Sequence, residues 1–145
     1  MATVQDLLDR KGTDIVSIRP EATVTEAARR MNERGVGGLL VVNSGGELMG
    51  IFTERDILRR VVAPGLEGSK VRVAEVLTAS VISCLPETSV EECAAIMSSR
   101  RIRHLPVSDN SGLRGLVTSG DVLAFRVAES EATVQYMNSY MFDIR

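Results

Sequence analysis

The chain states one pattern twice, and this repetition constrains its fold more than any other feature. Pro20, Glu21, Val24, Glu26, Ala28, Met31, Arg34, Leu39 and Val41 recur 66 positions later as Pro86, Glu87, Val90, Glu92, Ala94, Met97, Arg100, Leu105 and Val107. One residue is then lost. Gly50, Thr53, Asp56 and Leu58 recur 65 positions later as Gly115, Thr118, Asp121 and Leu123. A repeat of this length is one supersecondary unit that cannot bury its apolar face alone. Packing accounts for a repeated Val or Met. It does not by itself account for a repeated Thr-x-x-Asp.

The periodicity within each copy predicts the elements. Thr3 to Lys11 suits a short leading helix, with Val4, Leu7 and Leu8 on one face, and Ile15 to Ile18 a strand. From Thr23 the apolar positions Val24, Ala27, Ala28 and Met31 follow helical spacing. Thr23-x-x-Glu26 is a capping box that opens this helix, and Gly35 is placed to stop it. Leu39 to Val42 and Leu48 to Phe52 read as hairpin strands around Asn43-Ser44-Gly45-Gly46, residues that tolerate positive φ. A helix is expected over Thr53 to Val61. The second copy predicts a strand at Val81 to Cys84, a helix opened by Ser89-x-x-Glu92, and strands at His104 to Val107 and Leu113 to Val117. A last helix runs from Ser119 into the 130s. Ala63 to Ser69 is a loop, and Val73 to Leu77 a short helix matching the leading one. The organisation read from this is residues 1–68 for copy one with its leading helix, 69–130 for copy two, and 131–145 for an apolar tail. The fold class is mixed α and β, with two β-α-β-β-α units.

Composition narrows the function classes. A net charge of −2 gives no attraction to nucleic acid or anionic membrane. At 3% aromatics and no Trp, there are no stacking platforms for single strands. No apolar run reaches the length of a membrane span. The start, Met1-Ala2-Thr3-Val4, lacks the basic and then apolar pattern of a signal peptide, so the expected address is the cytoplasm. Cys84 and Cys93 fall in apolar stretches and read as buried free thiols; with one histidine they make a poor metal site. Nothing resembles a nucleophile–base pair or a Gly-rich phosphate loop, so no catalytic residue and no enzyme activity are expected.

In both copies the order of strand, helix, hairpin, G-I-F-T-E-R-D or G-L-V-T-S-G-D, and helix resembles the cystathionine-β-synthase-type domain, or CBS domain. V-L-T before the strand and I-R-H-L-P-V add to the likeness. Two copies in tandem are similar to the pseudo-twofold CBS pair called a Bateman module, of the stand-alone bacterial type. The resemblance implies repeats packed through their sheets, with two clefts between them. Each cleft would take an adenosine nucleotide such as AMP, ADP or ATP, or NAD or S-adenosylmethionine, with no cofactor required. It also implies a homodimer through the CBS helices and an effector protein that responds.

Carried onto this chain, Asp56 and Asp121 would accept the ribose hydroxyls, with Thr53 and Thr118 beside the ribose and phosphate. Thr53-x-x-Asp56 and Thr118-x-x-Asp121 also fit capping boxes, and the two roles are compatible. One cleft would combine Thr53 and Asp56 with Thr78, Val81, Ile82, Arg103, His104 and Pro106. The other would combine Thr118 and Asp121 with Ile15, Val16, Gly37 and Gly38. Arg103 and His104 supply cations where copy one has only Gly37 and Gly38, so the Asp56 cleft is expected to bind more tightly. The rival expectations are a ligand-free structural adaptor and a nucleotide-processing enzyme.

Overall fold

A computed structural model describes residues 1–12, 15–79 and 81–143, with side chains through Ser139. The elements in order are α1 (Val4–Lys11), β1 (Ser17–Ile18), α2 (Val24–Arg34), β2 (Gly38–Val42), β3 (Leu48–Thr53), α3 (Glu54–Asp56), α4 (Val73–Val76), α5 (Val90–Arg100), β4 (His104–Asp109), β5 (Gly112–Thr118) and α6 (Ser119–Asp143). This is the mixed α and β architecture the repeat predicted.

The chain divides into two compact units, residues 14–83 and residues 1–13 with 84–145. The boundary differs from the one drawn on the repeat. Residues before each copy join the other copy's unit. The backbone hydrogen bonds give the reason. In the segment leading into α1, Val4 N donates to Thr88 O at 2.7 Å and Val90 N donates to Ala2 O at 3.0 Å. Correspondingly, Val24 N donates to Val71 O at 2.9 Å and Val73 N to Ala22 O at 2.8 Å. Each helix entry is thus satisfied by a strand-like segment distant in sequence.

In the unit of residues 14–83, β2 lies between β1, its parallel neighbour, and β3, its antiparallel neighbour. The crossover from β1 to β2 is α2. Thr23 and Glu26 close the capping box that their spacing predicted, and Gly35 ends the helix at φ 65°. Val24, Ala27 and Met31 turn inward onto Leu39, Val41 and Phe52, all under 5% exposed. Val73 and Val76 from α4 complete this core. After β3 the expected regular helix over Thr53 to Val61 is not formed as such. It is one turn of α3 followed by a wider π-helical turn over Ile57–Val62, in which Ala63 N reaches back to Leu58 O at 2.9 Å.

In the other unit, β4 and β5 form a two-stranded antiparallel sheet. Val90, Cys93 and Met97 of α5 are buried, as are Leu7 and Leu8 of α1 and Val122 and Phe125 of α6. Ser89 caps α5 through its hydroxyl, which accepts from Glu92 N at 3.0 Å. The expected strand at Val81 to Cys84 reduces to one parallel bridge between Cys84 and Val107. An apolar run of four residues carries no periodicity that would separate strand from extended loop. Cys84 and Cys93 are buried and free, and the Cys84 thiol is pushed up by its hydrogen bond to Cys93 and by burial. The apolar tail is not a separate segment: α6 continues without a break through Asp143, and Ile144 and Arg145 lie outside the described residues.

The repeated Gly50 and Gly115 have a packing cause that the pattern did not reveal. A Cβ on Gly50 would stand 2.3 Å from Thr78 O, and one on Gly115 would stand 2.9 Å from Leu8 Cδ2. In each copy the glycine makes room for the segment that precedes the other copy.

Candidate functional site

The Thr-x-x-Asp motif is built by a strand that runs directly into a helix. Thr53 ends β3 in extended conformation and Glu54 begins α3, whose first N–H groups have no helical acceptors. The side chains of the motif supply them. Asp56 N donates to Thr53 Oγ1 at 3.4 Å, and Thr53 N donates back to Asp56 Oδ2 at 3.0 Å. The preceding loop contributes as well, because Glu54 N donates to Gly37 O at 3.0 Å. The second copy repeats this geometry: Asp121 N to Thr118 Oγ1 at 3.0 Å, Thr118 N to Asp121 Oδ2 at 2.9 Å, and Ser119 N to Arg103 O at 2.9 Å. Capping is therefore formed at both motifs.

Around this shared frame the two carboxylates meet different neighbours. Asp56 is the one buried charged side chain in the described core, 8% exposed. Its Oδ2 also accepts from the Thr53 hydroxyl at 3.3 Å, and its Oδ1 accepts from the Thr78 hydroxyl at 3.2 Å. Thr78 is held there by a two-bond bridge to Ile51, 3.0 and 2.9 Å long, on the free edge of β3. Arg60 Nε stands 3.7 Å from Asp56 Oδ1. Its guanidinium is spent on carbonyls, Leu77 O at 2.8 Å and Val76 O at 3.3 Å. Asp121, by contrast, is in direct contact with a cation: Lys11 Nζ lies 2.5 Å from Oδ2 and donates also to Leu116 O at 2.9 Å.

The other expected site residues fall as follows. In residues 14–83, Val16 packs on the core and its carbonyl accepts from Leu40 N at 3.1 Å; Ile15 is half-buried. Gly38 is the register partner of Thr53, which puts the Gly37-Gly38 backbone against the Thr53 end of β3. Val81 and Ile82 are half-buried and lie outside any strand. In the other unit, His104 is the register partner of Thr118, Pro106 is buried, and Arg103 is exposed. A groove of about 830 Å³ in residues 14–83 is lined by Ser17, Arg19, Glu26, Arg30 and Asn43 among others, and Asp56 takes no part in it.

Lys11 and Arg60 are the two site residues that the repeat did not disclose. Sixty-five positions after Arg60 stands Phe125, and Lys11 lies ahead of the repeated stretch, where neither offset applies. A search for shared polar residues passes over both. The signal that could have found Arg60 is the reverse one: a cation in one copy where the other has an apolar residue. Among the described residues no cluster of His, Cys, Asp and Glu could hold a metal ion.

Comparison with known proteins identifies the repeated unit. A family model described as the CBS domain matches residues 4–63 and again residues 73–128. The CBS domain-containing protein YhcV of Bacillus subtilis is 33% identical over 132 residues, which is 91% of this chain and 91% of its own length. The mitochondrial CBS domain-containing protein CBSX3 of Arabidopsis thaliana is 33% identical over 147 residues, 96% of this chain and 71% of its own. Among solved structures, a CBS-domain containing protein from Agrobacterium tumefaciens matches at TM-score 0.82 and 35% identity, covering 86% of this chain and 99% of that one.

Proposed function

The chain belongs to the CBS domain family, as a tandem pair of repeats, and from that premise we propose that it is a regulatory module that binds an adenosine nucleotide. AMP, ADP, ATP and NAD are the ligands in question. Asp56 and Asp121 take the ribose hydroxyls, and an effector protein responds to the bound state.

The observation that supports this most is the duplicated Thr-x-x-Asp frame. In both copies the carboxylate is pinned by a backbone N–H at a fixed place, at the junction of a strand and a helix. A carboxylate accepts up to four hydrogen bonds, so capping leaves capacity for a vicinal diol. The role is binding rather than catalysis: the groups at the frame are acceptors, hydroxyls and cations, without a paired nucleophile and base.

The homodimer belongs to the same proposal. Leu58 and Val62 are 61% and 60% exposed, and their repeat mates Leu123 and Val127 are 64% and 47% exposed. Exposed apolar pairs at equivalent helix positions in both copies suit a self-complementary contact. No described helix is long and apolar enough to cross a membrane, and a cytoplasmic address completes the reading.

A thermal-shift screen against AMP, ADP, ATP, NAD and S-adenosylmethionine tests the proposal. A ligand at about 100 times its dissociation constant stabilises the fold by roughly 2.7 kcal/mol. A shift that is lost in Asp56→Ala supports the ribose role. A flat screen across all five overturns it and leaves a structural adaptor.

A further inference from the structure

We propose that Lys11 is an internal competitor for the ribose-binding carboxylate of Asp121, and that it sets the Asp121 site below the Asp56 site in affinity. The inference rests on the nucleotide reading above and adds the residue that makes its two sites unequal.

Lys11 is the last residue of α1, and Gly12 follows at φ 96°, which turns the chain away. Its ammonium is fixed between two acceptors, Asp121 Oδ2 at 2.5 Å and Leu116 O at 2.9 Å. Asp121 Oδ2 already carries the Thr118 N–H at 2.9 Å. A vicinal diol donates one hydrogen bond to each carboxylate oxygen. At Asp121 it must therefore take the Oδ2 position from a cation and leave that cation with a carbonyl alone.

Asp56 sets no such requirement. Its partners beyond the backbone are the Thr53 and Thr78 hydroxyls, at 3.3 and 3.2 Å. Hydroxyls rotate, and each can turn to another acceptor or accept from the incoming diol itself. The Arg60 guanidinium stands back at 3.7 Å and keeps its two carbonyl partners whether or not Asp56 is occupied. The difference lies in what the segment before each copy delivers: Lys11 reaches Asp121, whereas the Thr78 hydroxyl reaches Asp56. This asymmetry points the same way as the Arg103-His104 contrast but has an independent cause.

Lys11→Met removes the charge and keeps the length of the side chain. Isothermal calorimetry of the full chain with adenosine and with AMP, on wild type, Lys11→Met, Lys11→Arg and Asp121→Ala, reads the competition. The weaker site is expected to tighten about two- to fivefold in Lys11→Met for both ligands, the worth of a partly exposed ion pair. Lys11→Arg keeps the competitor and stays at the wild-type value. Unchanged or weaker binding in Lys11→Met overturns the proposal. Weaker AMP with unchanged adenosine would make Lys11 a phosphate ligand instead and refutes competition equally. Asp121→Ala reports the Asp56 site by itself. Binding there together with indifference to Lys11→Met refutes the competitor alone. Absence of binding in every variant refutes the nucleotide reading and the competitor with it.

Discussion

Gly50→Ala and Gly115→Ala are the same substitution at repeat-equivalent positions, and the structure separates them sharply. At Gly50 the new methyl would stand 2.3 Å from Thr78 O and 2.6 Å from Leu77 Cδ1. The first of these is backbone, held by the two hydrogen bonds between Thr78 and Ile51 at 3.0 and 2.9 Å. Relief requires Thr78 to withdraw, which breaks that bridge and pulls the Thr78 hydroxyl from Asp56. Overpacking of this kind costs about 1–3 kcal/mol, and each lost hydrogen bond about 1 kcal/mol more. With three hydrogen bonds lost, the expected loss is roughly 4–6 kcal/mol. At Gly115 the obstacle is Leu8 Cδ2 at 2.9 Å, the far end of a flexible side chain. A rotamer adjustment of about 0.5–1.5 kcal/mol admits the methyl. Urea denaturation followed by circular dichroism measures both losses from the shift in midpoint. Calorimetry with AMP adds a second readout, because only Gly50→Ala displaces a partner of Asp56. Equal losses in the two variants would refute the reasoning, since they would mean that the approach of Thr78 does not constrain position 50.

Three further outcomes are expected. Asp56→Ala orphans the Thr53 N–H and the Thr78 hydroxyl and should cost about 2 kcal/mol, whereas Asp56→Asn retains an acceptor oxygen and should cost about half of that; equal costs in urea melts would speak against the capping geometry. Arg101 ends α5 at φ 55°, where its repeat mate is Gly35 at φ 65°, so Arg101→Gly should raise stability by up to about 1 kcal/mol and Gly35→Ala lower it by about as much, both read from thermal melts. Cys84 and Cys93, at 6% and 0% exposure, should resist iodoacetamide in the native chain and react at full rate in urea, as mass spectrometry would show; rapid native labelling of either would contradict their burial.

What the sequence determined by itself is what closes over short distances. The capping boxes at Thr23, Thr53 and Thr118 join residues three apart, so their spacing is visible as a motif, and each forms as written. The helical stripes of α2 and α5 and both hairpins are local in the same way. Their recurrence 65 or 66 positions later identified the CBS pair and its ribose-binding candidates. The strand expected at Val81 to Cys84 failed because a short apolar run has no periodicity to read. Only the tertiary structure decided which neighbours each carboxylate meets. The Thr78 hydroxyl reaches Asp56 across 22 residues, and Lys11 reaches Asp121 across 110. Such contacts depend on each copy being completed by the segment that precedes the other. That exchange is a product of long-range packing, and no spacing along the chain records it. The repeat makes the two sites look alike, and the partners brought in from afar make them different.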